Sequence, residues 1–531
     1  MSVLPETLAA SVIEDGSAEP LSQQFKTNFK EISRQSAIFL VGTLFTLAAG
    51  YFVKIYVARV LGAQPLGIYA LGMTIVSFVQ LWGALGLPAA AARYVAAYNR
   101  PAQADSLRAF LTRTTVVILV LNLSLGIGMA FAGRAAARFY HAPQLAPMLP
   151  LFAALMFLGA ITNFFSQVAA GFKDVARRTM FTNFVATPLG LVLTVILLQL
   201  GTGLWGYVVA QVISTSILTV LLVRLAWKLT PVPARFSSQP LPPLEREVVS
   251  FAGASLGMNV VDFLSSQADK ILLGLFLSPK LLGIYVLAST LVAFVPILLQ
   301  SVNQIFAPVI ADLYARGESV ILGKLYRTLT RWILAATLPA ALLLIVFAPQ
   351  WMRIFGSDFE PGWPILAIGT VGQVVNCAVG SVGFLLLMSG NQKRLLKVQV
   401  ASALVSVAAN LLLIPVWGFV GAAVAAALIN VVSNIWNLVE VRRSLQFSPF
   451  TRSYFSLLIP TAVLVACLLL VRHFAGHLTY NWRLLLPASF LSYALFAGAC
   501  LPLLCEDDRL IAAGAWRQCQ GNLRKMSMRA S

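Results

Sequence analysis

Apolar residues in this chain arrive in blocks of about 20, separated by short polar stretches, which is the length at which a helix crosses a hydrocarbon core of about 30 Å. The blocks fall near 37–58, 66–88, 114–133, 147–170, 180–200, 204–224, 249–273, 283–306, 333–349, 363–388, 397–416, 419–440, 454–471 and 484–505. Gly and Pro sit inside several of them, as membrane helices tolerate better than soluble ones. The pattern predicts an all-α polytopic membrane protein of about fourteen transmembrane helices.

The loops between blocks alternate in charge. One set carries Arg93, Arg100, Arg108 and Arg113, then Lys173, Arg177 and Arg178, then Arg224, Lys228 and Arg235. It continues with Arg316, Lys324, Arg327 and Arg331, then Lys393, Arg394 and Lys397, then Arg442, Arg443 and Arg452. Lys26, Lys30 and Arg34 near the start and Arg517, Arg524, Lys525 and Arg529 near the end fall on the same side. The opposite set is sparse: Arg59, Arg134, Arg138, Lys280, Arg353, Arg472 and Arg483. Cytoplasmic loops carry the basic excess, so both termini are expected in the cytoplasm and the helix count is expected to be even.

Composition sharpens this reading. The 531 residues are 59% hydrophobic and only 11% charged, with a formal net charge of +19. A soluble fold has too few polar residues here to cover its surface. Because the basic residues lie in short loops, the charge reflects membrane topology and not a nucleic-acid surface. The five cysteines, Cys377, Cys467, Cys500, Cys505 and Cys519, form no metal or disulfide spacing. His141, His473 and His477 fall in expected outer loops without a metal-ligating cluster. No cofactor or metal site is expected. The first apolar block follows a polar tail containing Glu6, Glu14, Asp15 and Glu19, so no cleavable signal peptide is expected. Phe25, Lys26, Phe29, Lys30 and Arg34 suit a basic amphipathic helix on the membrane surface.

The chain also repeats itself. GIYALGMTIVSFV at 67–79 aligns without a gap on GIYVLASTLVAFV at 283–295, and the register extends back to pair Lys54-Ile55 with Lys270-Ile271. Leu111-Thr112-Arg113 parallels Leu329-Thr330-Arg331, and Trp205-Gly206-Tyr207-Val208 parallels Trp417-Gly418-Phe419-Val420. Ordered matches at corresponding helices mark a duplication. Six helices per half make it a parallel repeat about an axis along the membrane normal, an arrangement that places substrate between halves. The expected organisation is a tail with an interfacial helix (1–35), an N-terminal six-helix lobe (36–226), a proline-containing cytoplasmic linker (227–248), a C-terminal six-helix lobe (249–443), two added helices (444–505) and a cytoplasmic tail (506–531).

Ala58-Arg59-Val60-Leu61-Gly62, Gly67-Ile68-Tyr69 and Leu85-Gly86-Leu87-Pro88 resemble the opening of polysaccharide transporters of the multidrug/oligosaccharidyl-lipid/polysaccharide (MOP) exporter superfamily. Asp269-Lys270-Ile271-Leu272-Leu273-Gly274 before Gly283-Ile284-Tyr285 is similar to that family's seventh and eighth helices. Phe355-Gly356-Ser357-Asp358-Phe359 and Ser389-Gly390-Asn391-Gln392-Lys393 fit around helix ten, so the resemblance covers roughly 35–505. It implies two lobes around a central cavity. It also implies flipping of undecaprenyl-pyrophosphate-linked oligosaccharide to the outer leaflet of a bacterial inner membrane, for O-antigen, capsule or exopolysaccharide. Related lipid II flippases hold the pyrophosphate with basic residues of the first lobe. By region, Lys54, Arg59 and Arg93 are the nearest counterparts.

A charged headgroup needs a polar path, because burying it unpartnered costs several kcal/mol or more. Lys54 and Lys270 occupy equivalent places in helices one and seven and suit the phosphates; snorkelling to the outer interface is the competing reading. Arg93 opens a cytoplasmic loop, where topology and contact with lipid headgroups are the favoured reading over the phosphates. Asp262 and Asp269 lie seven apart on one helix face, as a coupling-ion site or as charge partners. Asn259, Gln267, Gln300, Asn303, Gln304 and Asn376 are candidates for sugar hydroxyls or for bonds between helices.

Two nucleotide-like patterns fail. Gly201-Thr202-Gly203-Leu204-Trp205-Gly206 follows a membrane helix on the outer side, and Gly317 to Gly323-Lys324 is one residue too long and followed by Leu325. No enzymatic activity is expected. Competing readings are an ion-coupled multidrug exporter, disfavoured by helices thirteen and fourteen; a lipid II flippase; and a membrane sugar polymerase, disfavoured by short outer loops. The expected mechanism is alternating access. Partners are the lipid-linked glycan and a polysaccharide polymerase or assembly protein, and a monomer is compatible with the sequence.

Overall fold

A computed structural model describes residues 42, 45–100, 103–232, 241–474 and 485–500. The two tails, linker residues 233–240 and the loop carrying His477 and Arg483 lie outside the described residues. No strand occurs among those described.

The first half comprises α1 (45–61), α2 (Ala63–Ala84), α3 (Leu87–Tyr98), α4 (Ala104–Phe131), α5 (Gly133–Phe139), α6 (Leu145–Gly171), α7 (Val175–Gln199) and α8 (Gly203–Leu229). The second comprises α9 (Arg246–Phe276), α10 (Pro279–Val292), α11 (Ile297–Ala315), α12 (Ser319–Val346), α13 (Ala348–Arg353), α14 (Trp363–Val379), α15 (Val382–Met388) and α16 (Gln392–Leu445). Then follow α17 (Arg452–Phe455), α18 (Leu458–Phe474) and α19 (Leu485–Cys500).

The two halves repeat in form as well as sequence. Helix two is broken between α2 and α3 at Leu85-Gly86, and its counterpart between α10 and α11 at residues 293–296, where Pro296 lacks an N–H. α4 and α12 each run 28 residues, and each is followed after one residue by a short helix, α5 or α13.

By length and composition, ten helices among the described residues can cross a membrane, against the fourteen expected. The difference has physical causes. α16 is 54 residues long but bends at Gly418, whose φ of 59° and ψ of −137° are non-helical. Its two arms fold back far enough for Arg394 Nη1 to reach Glu440 Oε2 at 3.2 Å. α1 is described only in part. α18 and the stretch Phe490–Cys500 are shorter apolar helices.

Several interior polar groups find partners on neighbouring helices, as a membrane interior favours. Asn122 Nδ2 donates to Gly83 O at 2.9 Å, and Thr162 and Thr219 share a hydroxyl bond of 2.7 Å. Within α7 the stretch Met180–Ala186 is π-helical, just before Pro188 interrupts the hydrogen-bond ladder. Thr187 Oγ1 donates to Thr182 O at 3.1 Å and Ser214 Oγ to Ala186 O at 2.7 Å, capturing carbonyls there. α18 and α19 pack on α12, where Leu338 and Phe347 meet Leu464, Leu468 and Phe496. At the linker, Arg113 Nη2 donates to Leu241 O at 2.9 Å. Burial and a hydrogen bond to the Glu245 carboxylate hold the Tyr98 hydroxyl protonated well above the usual phenol range.

Candidate functional site: the seam between the halves

The duplicated Gly-Ile-Tyr segments pack against one another. A Cβ on Gly67 would strike the Pro279 carbonyl, and one on Gly283 the Ala63 carbonyl. Two backbones approach this closely only where neither helix carries a side chain. One apolar core runs through the contact, joining Ile68 and Leu71 to Leu282, Ile284 and Leu287. This part of the interface is therefore tightly filled.

Polar bonds cross the same seam. Tyr51 on α1 donates its hydroxyl to Thr290 O on α10 at 2.9 Å, and its ring stacks on Phe294 with centroids 3.8 Å apart. Arg59 Nε donates to Ile354 O, just after α13, at 2.8 Å. Toward the other end, α9 leans on α3: the Arg93 guanidinium lies 4.7 Å from the Phe251 ring centroid and 5.4 Å from that of Tyr94.

Between these contacts lies a cationic cluster. Lys54 extends over the Tyr51 ring, with Nζ 5.6 Å from its centroid, and is close enough to Lys270 for the two charges to interact. Lys270 Nζ donates to Gln267 Oε1 at 2.9 Å and to Ser266 O at 3.0 Å. The Asp269 carboxylate accepts from Tyr285 Oη at 2.7 Å and from the Lys270 backbone N–H at 2.8 Å. Among the described residues neither lysine makes an ion pair. Two ammonium groups that interact without an ion-pair partner repel, and a polyanion bound by both relieves that repulsion.

The expected residues thus divide. Lys54, Gln267, Lys270 and Asp269 come together. Asp262 does not join them: it lines a cavity of about 450 Å³ within the second half, with Ser265, Gln399, Ser402, Ser433 and Asn437. Asn437 Oδ1 is buried there without a hydrogen-bond partner. Two turns along one helix meet different neighbours, which separates Asp262 from Asp269. Asn259, Gln300 and Gln304 are exposed. Asn303 is buried with its Oδ1 unpartnered, whereas Asn376 Nδ2 donates to Gln373 Oε1 at 3.0 Å within its own helix. Tyr51 and Tyr285 are the seam residues that sequence reasoning missed. Tyr285 lies in the repeat and so carried a signal, whereas Tyr51 aligns with Gln267 and carried none.

A family model described as "polysaccharide biosynthesis protein" matches residues 56–362. A curated protein of Haloferax volcanii, named as a probable low-salt glycan biosynthesis flippase, Agl15, is 22% identical over 407 residues, covering 76% of this chain and 82% of that protein. The succinoglycan biosynthesis transport protein ExoT of Rhizobium meliloti is 21% identical over 350 residues, covering 64% of this chain and 66% of that one. Among solved structures, the lipid II flippase MurJ in an inward closed conformation superposes with a TM-score of 0.67 at 13% identity, covering 87% of this chain and 98% of MurJ. An inward-facing multidrug resistance MATE transporter of the MOP superfamily superposes at 0.59 and 16% identity, covering 78% and 97%. These two likenesses establish the fold.

Proposed function

Because this chain belongs to the polysaccharide biosynthesis protein family, a polysaccharide transporter family of the MOP exporter superfamily, we propose that it flips an undecaprenyl-pyrophosphate-linked oligosaccharide across a bacterial inner membrane. The product serves assembly of O-antigen, capsule or exopolysaccharide. The observation that carries the proposal is the pair Lys54 and Lys270, at equivalent places of the duplicated helices, near enough for their charges to interact and without an ion pair among the described residues.

The pyrophosphate sits between the two ammonium groups, and charge-assisted hydrogen bonds to its oxygens replace water. Gln267 sits beside them, and the exposed Asn259, Gln300 and Gln304 of α9 and α11 offer partners to sugar hydroxyls. Asn303 joins them when its unpartnered Oδ1 finds a donor, and Asn376 when it releases Gln373. The polyprenyl tail stays in the bilayer while the halves rock about the seam. Arg59 and Arg93 act at the two ends of the seam and not on the phosphates. Asp262 and its cavity take up the coupling cation or proton, and Asp269 is a charge partner fixed by Tyr285. No bond is made or broken, so the chain is a transporter and not an enzyme. The loop charges support a cytoplasmic location for both termini. The two lobes, the linker and the added helices correspond to 36–226, 249–443, 227–248 and 444–505.

Flipping of the lipid-linked oligosaccharide in reconstituted vesicles tests this. Lys54→Ala and Lys270→Ala each lose one charge-assisted contact worth about 1.5–3 kcal/mol, so headgroup affinity falls roughly 10- to 150-fold. Wild-type flipping by both variants at normal expression would end the proposal. Selective transport of lipid II or of cationic drugs by the same vesicles would assign the chain to the neighbouring branches of the superfamily.

A further inference from the structure

At the end of α16 opposite Gly418, the two arms enclose a second cavity of about 490 Å³, lined by Arg394, Lys397, Val398, Trp436, Glu440 and Arg443. It is separate from the seam. Arg394 Nη1 lies 3.2 Å from Glu440 Oε2, and Arg443 Nη1 lies 3.6 Å from Glu440 Oε1. One carboxylate thus splays two guanidinium groups around the opening. Lys397 makes no ion pair among the described residues. Three cations against one carboxylate leave a charge of +2 in the pocket.

The surroundings identify what fills it. Beyond the pocket, each arm turns an apolar stripe outward. Leu396, Val400 and Leu404 are exposed on the first arm, and Val432, Trp436 and Val439 on the second. A free anion has no use for such stripes, but acyl chains do. The exposed Trp436 indole stands where stripe and charges meet, as interfacial tryptophans do at the headgroup level. Arg394, Lys397 and Arg443 belong to the basic loop set that marks the cytoplasmic face.

We propose that this pocket binds the phosphodiester headgroup of an anionic phospholipid of the inner leaflet. Arg394, Lys397 and Arg443 hold the phosphate, and the acyl chains lie along the two apolar stripes. Glu440 orients the arginines and sets the affinity by offsetting part of their charge.

Native mass spectrometry of the full chain, released from micelles doped with phosphatidylglycerol or phosphatidylcholine, tests this. Phosphatidylglycerol should be retained preferentially. The combined variant Arg394→Gln, Lys397→Gln, Arg443→Gln should weaken that retention about tenfold or more, since each basic residue near a membrane surface contributes severalfold in affinity. Glu440→Gln keeps every cation and should strengthen retention severalfold, so it carries the test if the triple variant does not fold. Arg316→Gln, at an exposed pair with Asp312 elsewhere on the basic side, should change nothing. The proposal is overturned by equal retention of phosphatidylcholine, by wild-type retention in the triple variant, by weakened retention in Glu440→Gln, or by complete displacement with inorganic phosphate. The last result would make the pocket an anion site without a membrane lipid. None of these readouts depends on flipping.

Discussion

Gly67→Ala should prise open the seam between the halves. The added methyl group lands on the Pro279 carbonyl, which is backbone and has no rotamer by which to retreat. Relief requires α2 and α10 to separate by on the order of 1 Å, and overpacking of this kind costs about 1–3 kcal/mol. If that cost falls on the closed seam alone, the closed-to-open ratio drops roughly 5- to 150-fold. Ile284, buried in the seam, reports the change: as Ile284→Cys in a cysteine-free background it should react faster with a membrane-impermeant maleimide. Gly283→Ala should behave alike, because its methyl group meets the Ala63 carbonyl of the same contact. The double variant should fall short of the sum, since helices already parted by one methyl group accommodate the second. Gly50→Ala is the control, with nothing within 4 Å of its Cβ position. Wild-type labelling in Gly67→Ala, or an equal rise in Gly50→Ala, would refute the reasoning.

Three further outcomes follow from bonds described above. Tyr285→Phe strips Asp269 of its hydroxyl donor; a loss of about 1.5–3 kcal/mol should appear as a lower Tm in detergent, and an unchanged Tm would contradict it. Tyr51→Phe keeps the stack on Phe294 but loses the bond to Thr290 O; at about 0.6–1.7 kcal/mol for such bonds in membranes, the Ile284→Cys label should react a few-fold faster, and no acceleration would count against it. Asn122→Ala removes the donor to Gly83 O and should lower Tm to a similar small extent without altering Ile284→Cys labelling; a rise in labelling would show that α4 bears on the seam after all.

The duplication was legible because the Gly-Ile-Tyr segments serve one purpose twice: each must let the other helix close. Register alone put Lys54 and Lys270 at equivalent places of the two halves; that their charges interact is visible only in the structure. Tyr51 stayed hidden because its counterpart is Gln267, so the repeat is silent there. Arg59 was matched by region, which says nothing of direction, and its guanidinium turns to the Ile354 carbonyl. The interruptions at Leu85-Gly86, around Pro296 and at Gly380-Ser381 escaped detection because apolar residues continue through them, and a hydropathy window records composition and not φ and ψ. The short α5 and α13 were missed because neither is long enough to span. Asp262 and Asp269 share a face of α9, yet helix geometry alone cannot say that one depth opens on a cavity and the other on Tyr285.

The contact of Gly67 with Gly283 has a bearing on descent. Equivalent residues touching each other across an axis is the signature of an isologous dimer interface, in which one patch recognises its own copy. Each half therefore displays the surface that recruits its twin, and a single-copy ancestor of six helices would already have possessed the means to pair with itself.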